Sequence, residues 1–220
     1  METLQIVVIG AGGHAAEVCS YVRDLAEGGA HLALAGCVDD QKAAGMHAGL
    51  PVLGPLSSLP ALATAHGRAF RCITALGHNP TREQVVRRIE KMLGRSDYWW
   101  TLRHPLAFVS REATVGAGTC LAPGAKVTAR ATVGAHVILN VNASIAHDTI
   151  AADFVNVNPG AAVAGNARLG AGCYIGAGAT VIDKITVGEW TIVGAGAAVV
   201  RDLPPHSTAV GVPARVIKQA

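Results

Sequence analysis

Two groups of residues in this 220-residue sequence have the types and spacing to do chemistry. The first is His147, followed by Asp148, with Gly165 eighteen residues further on. An imidazole can exchange a proton near neutral pH, and a glycine N–H can hold a developing negative charge. Asn140 and Asn158 share the same eighteen-residue spacing, and could line the same place or simply satisfy turns. From position alone, His147 reads equally well as a solvated surface histidine, and a plain turn glycine is the alternative for Gly165. The second group is Gly10-Ala11-Gly12-Gly13-His14-Ala15, directly after the apolar run from Leu4 to Ile9. Glycines there let backbone N–H groups approach a phosphate, and a helix N-terminus adds a favourable field. Its formal match to G-x-G-x-x-A is a weak signal, since a glycine turn that only packs a helix on a sheet looks the same. Dinucleotide oxidoreduction fits poorly, because the sequence offers no second catalytic domain for hydride chemistry.

What must position His147 and Gly165 is a six-residue repeat. Steps of six from Val109 to Val199 land on Val, Leu or Ile every time except at Ala151. A second column, four residues later, runs through Ala125, Ala131, Val137, Ala143, Val155, Ala161, Cys173 and Ala179. Both columns are expected to point inward. A helix of period 3.6 cannot keep a strict six-residue period on one face, and an ordinary strand alternates with period two. A triangular coil of three short strands per turn can, which predicts a left-handed parallel β-helix of about five coils, stacked roughly 4.8 Å apart. The small residue after each aliphatic one (Gly116, Gly134, Gly170, Gly176, Gly188, Gly194) is expected to make the tight turn. One coil is then eighteen residues, so Gly165 should stack on His147.

The glycine turn belongs to a different element set. Leu4 to Ile9 reads as a strand, Ala15 to Leu25 as a helix, and Leu32 to Val38 as a second strand ending at Asp39-Asp40. Val52 to Gly54, Phe70 to Ala75 and a helix from about Arg82 to Leu93 complete a Rossmann-like α/β unit. The expected domains are residues 1–103 and 104–220. A formal charge of +3 with scattered Lys and Arg does not indicate a nucleic-acid partner. The five cysteines form no CxxC and no even framework, which fits reduced thiols. The first apolar run is too short for a signal peptide, and no stretch has membrane-spanning length, so a soluble cytoplasmic protein is expected.

Several segments together resemble the NeuD/PglD-like family of bacterial sialic acid O-acetyltransferases and nucleotide-aminosugar N-acetyltransferases. They are IGAGGHA at the N-terminus, VDD at Val38 to Asp40, ALGHN at Ala75 to Asn79, and His104-Pro105. In the repeat they are LNVNASIAHD at Leu139 to Asp148, DFVNVNPGA at Asp153 to Ala161, AGN at Ala164 to Asn166, and GVPAR at Gly211 to Arg215. The resemblance implies acetyl-CoA as co-substrate, no metal, and a homotrimer with active sites between subunits. The acceptor implied is a nucleotide-linked amino sugar, UDP- or GDP-activated, in glycan or lipopolysaccharide synthesis. His147 would be the general base, Asp148 its acidic neighbour, and Gly165 with Asn166 the oxyanion and acetyl-CoA contacts. Gly12, Gly13 and His14 would meet the phosphates, and Asp39 and Asp40 the ribose or base. Gly77, His78, Asn79 and Asn140 would complete the substrate site, while Arg215 or Lys218 could face CoA phosphates. The chain departs from the family at Asn156, where some members carry a histidine that contacts acetyl-CoA.

Other readings remain at this point. O-acetylation of sialic acid or a related sugar would use the same histidine. A zinc enzyme of the β-helical carbonic anhydrase kind needs three converging histidines, and the repeat offers only His136 and His147. An acyl-enzyme would need a cysteine nucleophile, yet Cys173 falls in the inward column and Cys120 has no histidine at a matching phase. A non-catalytic nucleotide-sugar-binding module is the remaining class.

Overall fold

A computed structural model describes residues 2–219, which form two compact units divided between Leu102 and Arg103. In the first, β1 (Leu4–Ile9), β2 (Leu32–Val38), β3 (Gly45–His47), β4 (Leu50–Gly54) and β5 (Phe70–Thr74) make one sheet in the order β3-β4-β2-β1-β5. All neighbours are parallel except the β3–β4 hairpin. Ile6 to Ile9 are buried, as a central parallel strand requires. Helices α1 (Gly13–Glu27), α2 (Leu59–His66) and α3 (Asn79–Leu93) complete the unit. From β1 the chain first moves toward β2 and β4, then crosses to β5 on the other side of β1. The sheet therefore has a topological switch point at β1/β5, beside the carboxyl ends of the strands, where open α/β sheets bind ligands.

The second unit is the left-handed β-helix that the period demands. Its two-residue strands pair in parallel with those eighteen residues away, as in Val127 with Ile145, Ile145 with Val163 and Val163 with Val181. Three such ladders make its three faces. Both inward columns are buried: Leu139, Ile145, Val157 and Val181 from one, Ala143, Val155, Ala161 and Ala179 from the other. Ala151, the exception in the first column, is buried as well.

The turns differ from expectation. The left-handed residue that bends the chain comes three positions after the aliphatic one and is often not glycine: Arg130 (φ 58°), Asn142 (φ 56°), Asp148 (φ 59°) and Asn166 (φ 59°) hold it. The small column has another task. A Cβ on Gly116 would lie 2.5 Å from the backbone of Gly134, and one on Gly134 would lie 2.7 Å from that of Ala152. Those residues are small because the next coil packs against them. The C-terminal segment also differs, since Ser207–Val210 joins one face and Arg215–Gln219 folds back on it antiparallel instead of simply extending.

Candidate active site

An eighteen-residue coil stacks corner residues into columns, and the three columns differ in chemistry. One is built mainly from small residues and prolines, Pro123-Gly124, Pro159-Gly160 and Ala177-Gly178, with Val141-Asn142 as the exception. A second carries rings, with His136 stacked on Phe154 at 5.2 Å and 8°. The third runs through Glu112, Arg130, His147-Asp148, Gly165-Asn166 and Lys184, and holds most of the ionisable groups. His136 and His147, the two histidines weighed as zinc ligands, thus lie on different edges.

At the third corner, the expected stacking of His147 and Gly165 is met. A Cβ on Gly165 would fall 2.6 Å from His147 Cε1 and 2.7 Å from Nε2, so the imidazole lies directly on the glycine. The backbone reinforces this, because the Asn166 N–H donates to the His147 carbonyl and the Lys184 N–H to the Gly165 carbonyl, both at 3.0 Å. Among the described residues no group accepts the Gly165 N–H. Asn166 makes the left-handed turn and its side chain is exposed.

The imidazole Nδ1 is 2.8 Å from Asp148 Oδ2. Asp148 is pulled down to about 2 by the Arg130 guanidinium and then by His147, so it stays a carboxylate and can only accept. Nδ1 must therefore carry a proton in this contact, so that in the neutral ring the lone pair is on Nε2. Such a nitrogen, on a side chain more than half exposed, can accept a proton from a group brought against it. Arg130 was not singled out from the sequence. Stepping back one coil from Asp148 would have found it.

Asn140 and Asn158 are less available. Asn140 Oδ1 accepts the Val141 N–H at 2.7 Å and the Asn158 amide donates to the Ile175 carbonyl at 2.7 Å. Asn156 is buried in its strand. Cys173 is buried in the core, where burial pushes its thiol up, and Cys120 is buried too, so neither offers an exposed thiolate.

In the first unit, Gly12, Gly13, His14, Asp39, Gly77 and His78 line one cavity of about 310 Å³. Gly12 caps α1 in an extended conformation with no side-chain cap, and the first turn of α1 has no acid. That leaves N–H groups for an anion. Asp39 holds the turn itself, since its two oxygens accept the Ala11 and Gln41 N–H groups at 2.8 Å each. Asp40 accepts the Leu56 N–H at 2.8 Å and Arg88 Nη1 at 2.5 Å. Partial burial would raise Asp40, but these two donors outweigh it and hold the carboxyl low. Asp40 lines a neighbouring, largely apolar cavity of about 260 Å³ with Val38, Leu56, Leu76 and Val85. Both acids are thus already committed to their own chain. His78 caps α3, its Nδ1 2.8 Å from Thr81 Oγ1. Asn79, the first residue of α3, is buried and accepts from the buried Arg82 at 3.3 Å, and unlike His78 it does not line the cavity.

Comparison with known proteins matches this geometry to a family. Residues 5–89 match the PglD N-terminal domain. No protein of curated function matches the chain. Among solved structures, a histidine-to-asparagine variant of perosamine N-acetyltransferase from Caulobacter crescentus, in complex with CoA and GDP-perosamine, is 32% identical. The likeness covers 98% of this chain and 97% of that one, with a TM-score of 0.86. The acetyltransferase domain of PglB from Neisseria gonorrhoeae, in complex with acetyl coenzyme A, is also 32% identical over 99% and 100% of the chains, with a TM-score of 0.86. WeeI from Acinetobacter baumannii is 26% identical over 98% and 100%, with a TM-score of 0.76. With relatives at this identity along almost the whole of both chains, the protein belongs to the PglD-like family of nucleotide-aminosugar N-acetyltransferases.

Proposed function

We propose that the protein transfers the acetyl group of acetyl-CoA to the amine of a nucleotide-linked amino sugar, UDP- or GDP-activated, in bacterial glycan or lipopolysaccharide synthesis. The observation that carries this reading is the placement of His147, its Nδ1 tied to Asp148, directly on Gly165. Relatives that bind CoA with GDP-perosamine, or acetyl coenzyme A, support the choice of substrates.

The chemistry follows from the corner. His147 Nε2 takes a proton from the sugar amine as its nitrogen attacks the thioester carbonyl carbon. The carbonyl oxygen becomes an oxyanion, which the uncommitted Gly165 N–H stabilises. Collapse restores the carbonyl, breaks the carbon–sulfur bond and releases CoA thiolate, which recovers the proton from the imidazolium. No acyl-enzyme is needed. Gly12, Gly13 and His14 receive the phosphates, and the slot beside Asp40 takes the base. Asp39 acts through the turn it holds: Asp39→Ala should raise KM for the nucleotide sugar by about tenfold or more while kcat changes little. Steady-state kinetics at saturating acetyl-CoA would check this, and an unchanged KM would count against the cavity.

A homotrimer with sites between subunits, and a cytoplasmic location where acetyl-CoA and nucleotide sugars meet, belong to the same reading. The five buried cysteines, all present as thiols, suit a reducing compartment, and no helix among the described residues is long and apolar enough to cross a membrane. The test is release of free CoA, screened over UDP-, GDP- and TDP-linked 4-amino sugars and CMP-sialic acid. Turnover with an amino sugar is expected. Turnover with CMP-sialic acid alone would make the protein an O-acetyltransferase, and turnover with none would refute both.

A further inference from the structure

The corner that holds His147 contains one more group whose geometry is too specific for a solvated surface side chain. Arg130 lies one coil before Asp148 and grips it with two bonds, Nε to Oδ1 at 2.7 Å and Nη2 to Oδ2 at 2.9 Å. The Oδ2 that receives Arg130 Nη2 is also the oxygen that accepts from His147 Nδ1. A parallel two-point contact of this kind fixes a carboxylate in plane and direction, which a lysine ammonium cannot do. Glu112, one coil further back, lies 3.5 Å from Arg130 Nη1 and steadies the guanidinium from its other side.

We infer that Arg130 is a positioning residue for the acetyl transfer, locking Asp148 so that His147 presents Nε2, in its neutral form, to the substrate. The inference rests on the reading of His147 as the base. Arg130 touches neither substrate in this scheme. It acts through Asp148 in two ways. Orientation comes first: an aspartate gripped at both oxygens holds the imidazole in one tautomer and one ring angle. Charge comes second. A lone carboxylate beside a histidine favours the imidazolium, which is useless as a base. The guanidinium opposes that charge, so the dyad keeps its geometry without trapping the proton. Other ionisable groups on this edge are Arg111 and Glu112 on one side and, beyond His147 on the other, Asp183, Lys184, Arg201 and Asp202.

The contact is well placed for an unambiguous test. Arg130 is 61% exposed, and exposed ion pairs contribute little to folding, so its loss should leave the coil intact. The experiment measures kcat and KM against pH for the full-length wild type, Arg130→Met, Arg130→Lys and His147→Ala, with circular dichroism on each. For Arg130→Met we expect a roughly tenfold fall in kcat near neutral pH with KM for acetyl-CoA little changed. The acidic limb of the rate profile should move upward by about one pH unit, because removing the cation leaves Asp148 to hold the imidazolium. Arg130→Lys, keeping charge but not the fork, should restore the limb more fully than it restores kcat. If Arg130→Met unfolds, the lysine variant alone carries the test through that split. An acidic limb that stays in place or moves down, with kcat near wild type while His147→Ala is inactive, would overturn the role of Arg130 and leave the base untouched. Full activity in His147→Ala would instead refute the base reading itself.

Discussion

Replacing His147 with alanine should leave the β-helix folded and cut kcat by about 10²-fold or more, the usual contribution of a positioned general base. The size of the effect and its separation from stability follow from the same geometry. The ring is 57% exposed, so its removal opens no cavity in the core. Its side-chain bond is to Asp148, which keeps both contacts to Arg130 when the imidazole is gone. The backbone bond from the Asn166 N–H to the His147 carbonyl does not depend on the side chain. Thermal unfolding should thus match the wild type while turnover collapses. The pH profile gives a second reading. Asp148, held down to about 2, remains ionised above that value, and whatever it adds to stability is lost only as pH falls through it. An acidic limb near neutral pH in the wild type therefore cannot be the titration of Asp148. It should disappear with the imidazole, and retention of the same limb at near-normal kcat in His147→Ala would mean that another group is the base.

The β-helix and its corner could be read from the sequence because a period of six tolerates so few structures. The same count that predicted buried columns made eighteen residues a ruler, and the ruler brought Gly165 to His147. The ruler also ran backward to Arg130, but an exposed arginine has nothing in its type to mark it, and only its fork on Asp148 separates it from a solvated one. The turn residue was misplaced for a related reason. Glycines stand out in sequence, so the Gly116 and Gly134 column drew the turn, whereas Arg130, Asn142 and Asp148 accept a left-handed backbone that their types only partly advertise. In the first unit, β2 was legible as an apolar run closed by acids. That Asp39 would turn back to grip the Ala11 N–H could not be read, since it links residues 28 apart through the sheet. The short edge strand β3 and helix α2, with Pro60 at its start, lack a clear apolar period and went unseen.

Gly165→Ala should be nearly as damaging as loss of the histidine, through a single methyl group. Gly165 does not use a left-handed backbone, so alanine fits its conformation without strain. The obstacle is His147: the new Cβ would sit 2.6 Å from Cε1, 2.7 Å from Nε2 and 3.1 Å from Nδ1, well inside van der Waals contact. The ring must swing away, because the glycine is held on both sides, by Ala164 through its bond to Val181 and by Asn166 through its bond to His147. A displacement of about 1 Å at a reacting group can cost on the order of 10²-fold in rate, and that is the loss expected here, with the melting temperature little altered. The cause can be isolated by a double substitution. If the methyl acts by displacing the imidazole, it has nothing left to displace in His147→Ala, and the doubly substituted enzyme should be no slower than His147→Ala alone. Losses that multiply would show that Gly165 contributes separately, through its N–H or through the coil. A singly substituted Gly165→Ala enzyme of wild-type kcat would show that the ring need not rest on the glycine during turnover, and the corner would then lose its claim to be the site of transfer.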